Sequence, residues 1–143
     1  MNITSDALLT DLYELTMAQA YLAQGMTDIA VFEFFVRKLP PQRNFFMAAG
    51  LEQVLSYLEA FQFSDADIAW LDQTGGFRPA SLNALRAMRF TGEVHAMPEG
   101  SLFFPHEPIL RITAPLPQAQ LVETRVMNLL NFQTMVASKA CRS

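Results

Sequence analysis

The sequence predicts an α+β domain, with a mixed or largely antiparallel sheet and flanking helices, on three observations. Segments with strand character cluster together instead of alternating with helices, which disfavours a doubly wound parallel sheet. Gly and Pro fall where a helix has to stop or start. The length of 143 residues leaves room for one domain with a substantial core.

The elements follow in order. From Thr10 to Gln24, Leu12, Leu15, the Tyr13/Met17 pair, Ala20 and Leu22 fit helical spacing better than alternation. Thr10 suits the N-cap, Asp11 suits the first turn's dipole, and Gly25 is the expected stop. Ile29 to Arg37 is rich in Val and Phe and reads as the first strand, broken by Leu39-Pro40-Pro41-Gln42-Arg43-Asn44 because neither Pro can donate to a ladder. Phe45 to Ala49 is a short second strand. Gly50 then opens a helix from Leu51 to Phe61, with Leu51, Val54, Leu55 and Leu58 on one face.

Ser64-Asp65-Ala66-Asp67 signals the start of a helix reaching about Gln73 and stopped by Gly75-Gly76. Pro79 at a first helical position begins another, Ala80 to Met88. After Gly92 come short strands at Glu93 to Met97, Leu102 to Phe104 and Ile109 to Thr113, separated by the Pro98-Glu99-Gly100 turn and the Pro105-His106-Glu107-Pro108 break. A long helix runs from about Pro117 through Cys141. Arg142-Ser143 supplies neither the left-handed cap nor the Pro that would close it, so the expectation is a single domain over 1–143 forming the front part of a larger protein.

Composition narrows the function. Apolar residues make up 51% of the chain, including twelve Phe and eight Met, and the mean hydropathy is +0.17. That surplus predicts surface covered by a further domain or a partner subunit. No window approaches the roughly 18 apolar residues of a membrane span. The N-terminus has Asp6 and Asp11 and no basic stretch before an apolar run, so a signal peptide is not expected. With a lone Cys141, no disulfide framework can form, and the expected location is the cytoplasm. A net charge of −4 disfavours general nucleic-acid binding, although Arg37, Lys38 and Arg43 gather closely enough for a local anion site.

Several blocks then carry a family resemblance. They are Leu9-Thr10-Asp11-Leu12-Tyr13-Glu14-Leu15-Thr16-Met17, Phe32-Glu33-Phe34-Phe35-Val36-Arg37-Lys38-Leu39-Pro40 and Ala48-Ala49-Gly50-Leu51-Glu52. In the second half come Phe90, Gly92 and Val94, Pro98-Glu99-Gly100, Phe104, Pro108-Ile109-Leu110, Ala119-Gln120-Leu121-Val122-Glu123-Thr124 and Asn131-Phe132-Gln133-Thr134. Together they resemble the N-terminal domain of nicotinate phosphoribosyltransferases, in order over nearly the whole chain.

The resemblance implies an α/β-hammerhead fold, akin to barrel-sandwich hybrids, in front of an α/β barrel domain that this chain lacks. It implies pyridine nucleotide and NAD biosynthesis through ligase and glycosyltransferase chemistry. In that reaction nicotinate displaces pyrophosphate from phosphoribosyl pyrophosphate to give nicotinate mononucleotide, with ATP hydrolysis. ATP and Mg2+ would bind mainly outside this chain, which is expected to be inactive alone. A homodimer, in which this domain covers the partner's barrel, is also implied. By position, Tyr13 matches a Tyr that stacks on the pyridine ring and Asp11 neighbours it, while Arg37, with Lys38 and Arg43 as weaker candidates, faces substrate phosphates.

The last helix also resembles its counterpart in quinolinate phosphoribosyltransferase, whose Glu-Arg-Thr run precedes a Leu-Asn pair. Here the order is Glu123-Thr124-Arg125, with Met127-Asn128 in place of the pair. The Arg directed at a dicarboxylate is missing from its place, which favours a monocarboxylate.

Simpler readings cover the remaining candidates. Without the family pattern, Tyr13 is an amphipathic aromatic at a core edge. His95 and His106 lie near no nucleophile and read as structural. Two His and one Cys are too few for a four-ligand zinc site. Asp65, Asp67 and Asp72 read as capping and a solvated face, Glu99 as a turn residue, Cys141 as packing, and Gly75-Gly76 as a helix stop. A rival to the enzyme reading is a non-catalytic dimerisation module derived from the same domain.

Overall fold

The computed structural model describes residues 12–36 and 45–142. Its elements follow the expected order: α1 (Leu12–Ala23), β1 (Ile29–Phe34), β2 (Phe46–Met47), α2 (Leu51–Glu59), α3 (Asp65–Thr74), α4 (Pro79–Ala87), β3 (Glu93–Ala96), β4 (Leu102–Phe103), β5 (Leu110–Pro115) and α5 (Leu116–Arg142). Every strand pairing among the described residues is antiparallel. One sheet has the order β1-β5-β3, and β2 pairs with β4 in a second.

In the larger sheet Phe34 lies opposite Leu110, and Val94 lies opposite Ile112. Phe34, Leu110, Ile112 and Ala114 are buried on the face that packs on α5. The other face carries Glu33, Arg111 and His95 in one cross-strand row. There Arg111 donates to Glu33 from Nε at 3.1 Å and from Nη2 at 2.9 Å. Gly92 leads into this sheet where a Cβ would lie 2.4 Å from the Thr113 carbonyl oxygen, so close approach of two backbones requires a residue without a side chain.

β5 passes into α5 without a loop. The Leu116 amide donates to Asp28 O at 2.9 Å, and Pro117 sits buried in the first helical turn, where its missing N–H costs nothing. At 27 residues, α5 is about 40 Å long. Its middle buries Leu121, Val122, Val126 and Leu130 under α1 and the sheet. Farther along, the Met47 amide donates to Ser138 Oγ at 2.9 Å, and Thr134 Oγ1 donates to Ala49 O at 3.2 Å. Two buried hydroxyls thereby dock β2 on the helix.

Cap signals within the described residues are realised, while Thr10, the expected N-cap of α1, lies outside them. Ser64 and Asp67 form a reciprocal capping box at the start of α3. Asp65 makes an exposed ion pair with Arg86 at 3.3 Å, consistent with a solvated acidic face. Helix α1 closes at Gly25, whose amide reaches Leu22 O. The turn residue Glu99 does more than its position suggests. Its Oε1 accepts from the amides of Gly50 at 3.0 Å, Leu51 at 2.7 Å and Glu52 at 3.4 Å, capping α2 from across the sequence. Gly50 enters that helix with φ of 100°, a backbone a side chain would strain.

Several boundaries differ from expectation. β1 ends at Phe34 and not Arg37, because the next paired amide is Ile109, which donates to Phe34 O and turns the ladder into the loop. β2 has only two residues, its edges taken up by α5 hydroxyls. On α2 Leu55 is 40% exposed while Tyr57 is buried, edge-on to Phe61 at 5.9 Å. Aromatic packing thus rotates the buried face away from the aliphatic stripe. Phe61 in turn meets Phe63 edge-on at 5.7 Å, making the core of the α2–α4 lobe with Leu71 and Leu85.

Two substitutions test this account in thermal unfolding of the chain. Glu99→Ala removes the cap of α2 and should cost about 1 kcal/mol, or about 3 °C in Tm, with a smaller loss for Glu99→Gln. Gly92→Ala should cost about 2 kcal/mol or more, because the Thr113 carbonyl and the Ala114 methyl, neither of which can swing aside, stand in the way.

Candidate functional site

Tyr13 and Glu14 are neighbours on the first described turn of α1, and successive helical residues point about 100° apart. Their environments differ accordingly. The Tyr13 ring is 67% exposed, whereas Glu14 is only 5% exposed and shares its buried stripe with Leu15 and Ala18. A carboxylate removed from water needs a partner to offset desolvation. On α5, the Thr124 hydroxyl donates a hydrogen bond to Glu14 Oε1.

Glu123 lies beside this contact. Its carboxyl is pushed above the ordinary carboxylate range, first by partial burial and then by the negative charge of Glu14. Glu123 also lines a groove of about 470 Å³ between β1 and α5, with Phe32 and Phe34 on one side, Met127 and Leu130 on the other, and Asn131 as a further polar group. That volume suits a small molecule or a short inserted segment. One carboxyl therefore links the turn that bears Tyr13 to the groove.

The other residues named from sequence fall in different places. Asp11, Arg37, Lys38 and Arg43 lie outside the described residues. His95 is exposed on β3, with Nε2 3.6 Å from Glu93 Oε2, and His106 sits in an exposed turn with its ring 6.1 Å from Phe35. Among the described residues no three His, Cys, Asp or Glu side chains gather to hold a metal ion, and no helix is long and apolar enough to cross a membrane.

Sequence reasoning assigned no role to Glu14 or Thr124. The available signal was a Glu beside Leu15 and Ala18, in phase with the buried stripe of an otherwise polar-aromatic helix. Exposed apolar residues form a second feature: Met127, Phe132, Met135 and Val136 on α5, with Ile29, Val31 and Phe35 on or next to β1.

Comparison with known proteins gives a consistent result. The family model described as the nicotinate phosphoribosyltransferase (NAPRTase) N-terminal domain matches residues 8–131. A nicotinate phosphoribosyltransferase of Mycobacterium tuberculosis is 53% identical over 136 residues, covering 95% of this chain and 29% of the relative. The Bacillus subtilis nicotinate phosphoribosyltransferase is 43% identical over 137 residues, covering 95% of this chain and 28% of its own length. The crystal structure of human nicotinic acid phosphoribosyltransferase superposes with a TM-score of 0.86 at 40% identity, over 94% of this chain and 28% of that one. A nicotinate-nucleotide pyrophosphorylase from Pyrococcus furiosus, at 20% identity and a TM-score of 0.65 over 90% of this chain and 25% of that one, shares the fold. The chain thus spans less than a third of the length of these relatives.

The raised Glu123 pKa has a thermodynamic consequence. The folded state holds this proton more tightly than the unfolded chain, so the associated stability is present at low pH and is lost as pH rises from the ordinary carboxylate value through the folded one. Glu123→Gln removes that loss. Its Tm should exceed wild type at neutral pH, and the difference should close on acidification, as followed by circular dichroism across a pH series.

Proposed function

The chain belongs to the nicotinate phosphoribosyltransferase family, as its N-terminal domain, and we propose that it supplies one wall of a nicotinate pocket, with Tyr13 stacking on the pyridine ring. The observation that carries this reading is the exposure of that ring on a helix whose other side is anchored in the core. An electron-poor planar ring is well held by an offset aromatic stack, and the phenol hydroxyl stays free to bond at its edge.

The reaction in this reading belongs to NAD biosynthesis. The pyridine nitrogen forms a bond to the ribosyl carbon of phosphoribosyl pyrophosphate, and pyrophosphate departs with the electron pair of the broken C–O bond. This chain's part is to orient the ring and exclude water from one side. Asp11 would neighbour the ring, and Arg37, with Lys38 and Arg43, would meet phosphate oxygens through charge-assisted hydrogen bonds. Among the described residues no three His, Cys, Asp or Glu side chains gather to hold Mg2+. In this reading ATP, Mg2+ and the support of the departing pyrophosphate would come from the barrel domain, leaving the isolated chain inactive. A cytoplasmic location belongs to the same reading.

The exposed apolar side chains of α5 and β1 support a covering surface, either the barrel or a second subunit of a homodimer. The same observation favours the second reading, a non-catalytic dimerisation module. A chain that sediments as a stable dimer but confers no activity on a barrel would support the module over the enzyme part.

The deciding experiment replaces the matching segment of the Bacillus subtilis relative with this chain and measures nicotinate mononucleotide formation. The chimera should be active. Tyr13→Ala should raise the KM for nicotinate about tenfold, the equivalent of about 1.4 kcal/mol of stacking and burial. An unchanged KM would remove Tyr13 from the pocket.

A further inference from the structure

We infer that Glu14 is a positioning residue for the Tyr13 ring, acting through its hydrogen bond with Thr124. The inference rests on the proposed role of Tyr13 and adds what aims it. Among the described residues of α1 only Leu15 and Ala18 are buried apolar side chains, while Leu12 and Tyr13 stand exposed. Apolar burial is non-directional, so Leu15, Ala18 and the partly buried Leu22 do not by themselves fix how the helix rolls about its axis or slides along its neighbour. A hydrogen bond at fixed donor and acceptor atoms permits neither.

Side-chain hydrogen bonds hold α1 at two places. Near its far end, Gln19 Nε2 donates to Gly76 O at 2.8 Å and Gln19 Oε1 accepts from the Arg78 amide at 2.8 Å, tying the helix to the α3–α4 connection. At its near end the contact is Thr124 Oγ1 to Glu14 Oε1, one residue from Tyr13. A helix pinned at both ends has one rotational setting, and the exposed ring inherits it.

The burial of Glu14 excludes a surface accident. A 5% exposed carboxylate on a short helix is costly for folding alone, where a Leu at that position would add to the core. Thr124 turns inward to meet the carboxylate from α5.

The test uses the chain labelled with fluorotyrosine, whose three ring signals report Tyr13, Tyr21 and Tyr57, together with the Bacillus subtilis chimera. Thr124→Val is near-isosteric and replaces the hydroxyl with a methyl, and Thr124→Ser keeps the hydroxyl. The valine variant should shift or broaden the Tyr13 signal while that of buried Tyr57 stays, and should raise the KM for nicotinate about threefold or more at unchanged kcat. The serine variant should return both to wild type. A general loss of folding would lower kcat through the active fraction and move Tyr57 as well.

Glu14→Ala should reproduce the valine result. If it unfolds, the Thr124 pair decides. An unmoved Tyr13 signal in Thr124→Val overturns the inference even where Tyr13→Ala raises KM. A moved signal with KM insensitive to Tyr13→Ala leaves the positioning intact and removes only the nicotinate reading.

Discussion

The fold hangs on a constraint that no local segment satisfies, the need of two small sheets and a short helix for one continuous surface to bury against. β2 and β4 are two-residue strands with too little ladder to be stable alone. Helix α1 buries few apolar side chains. The long α5 helix supplies the missing surface: Val122 and Val126 in the core, Thr124 for α1, and Thr134 and Ser138 for the β2 edge. Because β5 runs directly into it, the central strand of the larger sheet and this helix are set together.

That arrangement explains why polar groups are buried at the joints. Ser138, Thr134 and Glu14 are all nearly inaccessible, and each holds an element that hydrophobic contact alone would leave free to slide. Glu99 plays a similar part at the surface, joining the β3–β4 turn to the start of α2 through three amides. These directional contacts sit where register is otherwise unspecified.

The elements and their order were legible, as were those of their ends whose causes are local. Ser64 and Asp67 cap α3 within one turn, Gly25 closes α1, and Pro79 opens α4. Residue-by-residue faces were less legible. The aliphatic stripe of α2 pointed to Leu55, but the Tyr57-Phe61-Phe63 cluster wins the interior because three rings bury more area than one Leu. At the candidate site Tyr13 was singled out only through the family resemblance of its block, Leu9 to Met17. Glu14 and Thr124 were not, since their meeting joins residues 110 positions apart.

What the amino-acid order determined by itself was the α+β class, the succession of helices and strands, and membership in a family of nucleotide-forming enzymes. Periodicity, caps and ordered blocks are encoded within a few residues of one another. The tertiary structure alone decided that a Glu next to the exposed phenol turns inward, that a turn carboxylate caps a distant helix, and that a groove opens between β1 and α5. Those outcomes depend on distances between segments far apart in the chain, which only the packing around α5 sets.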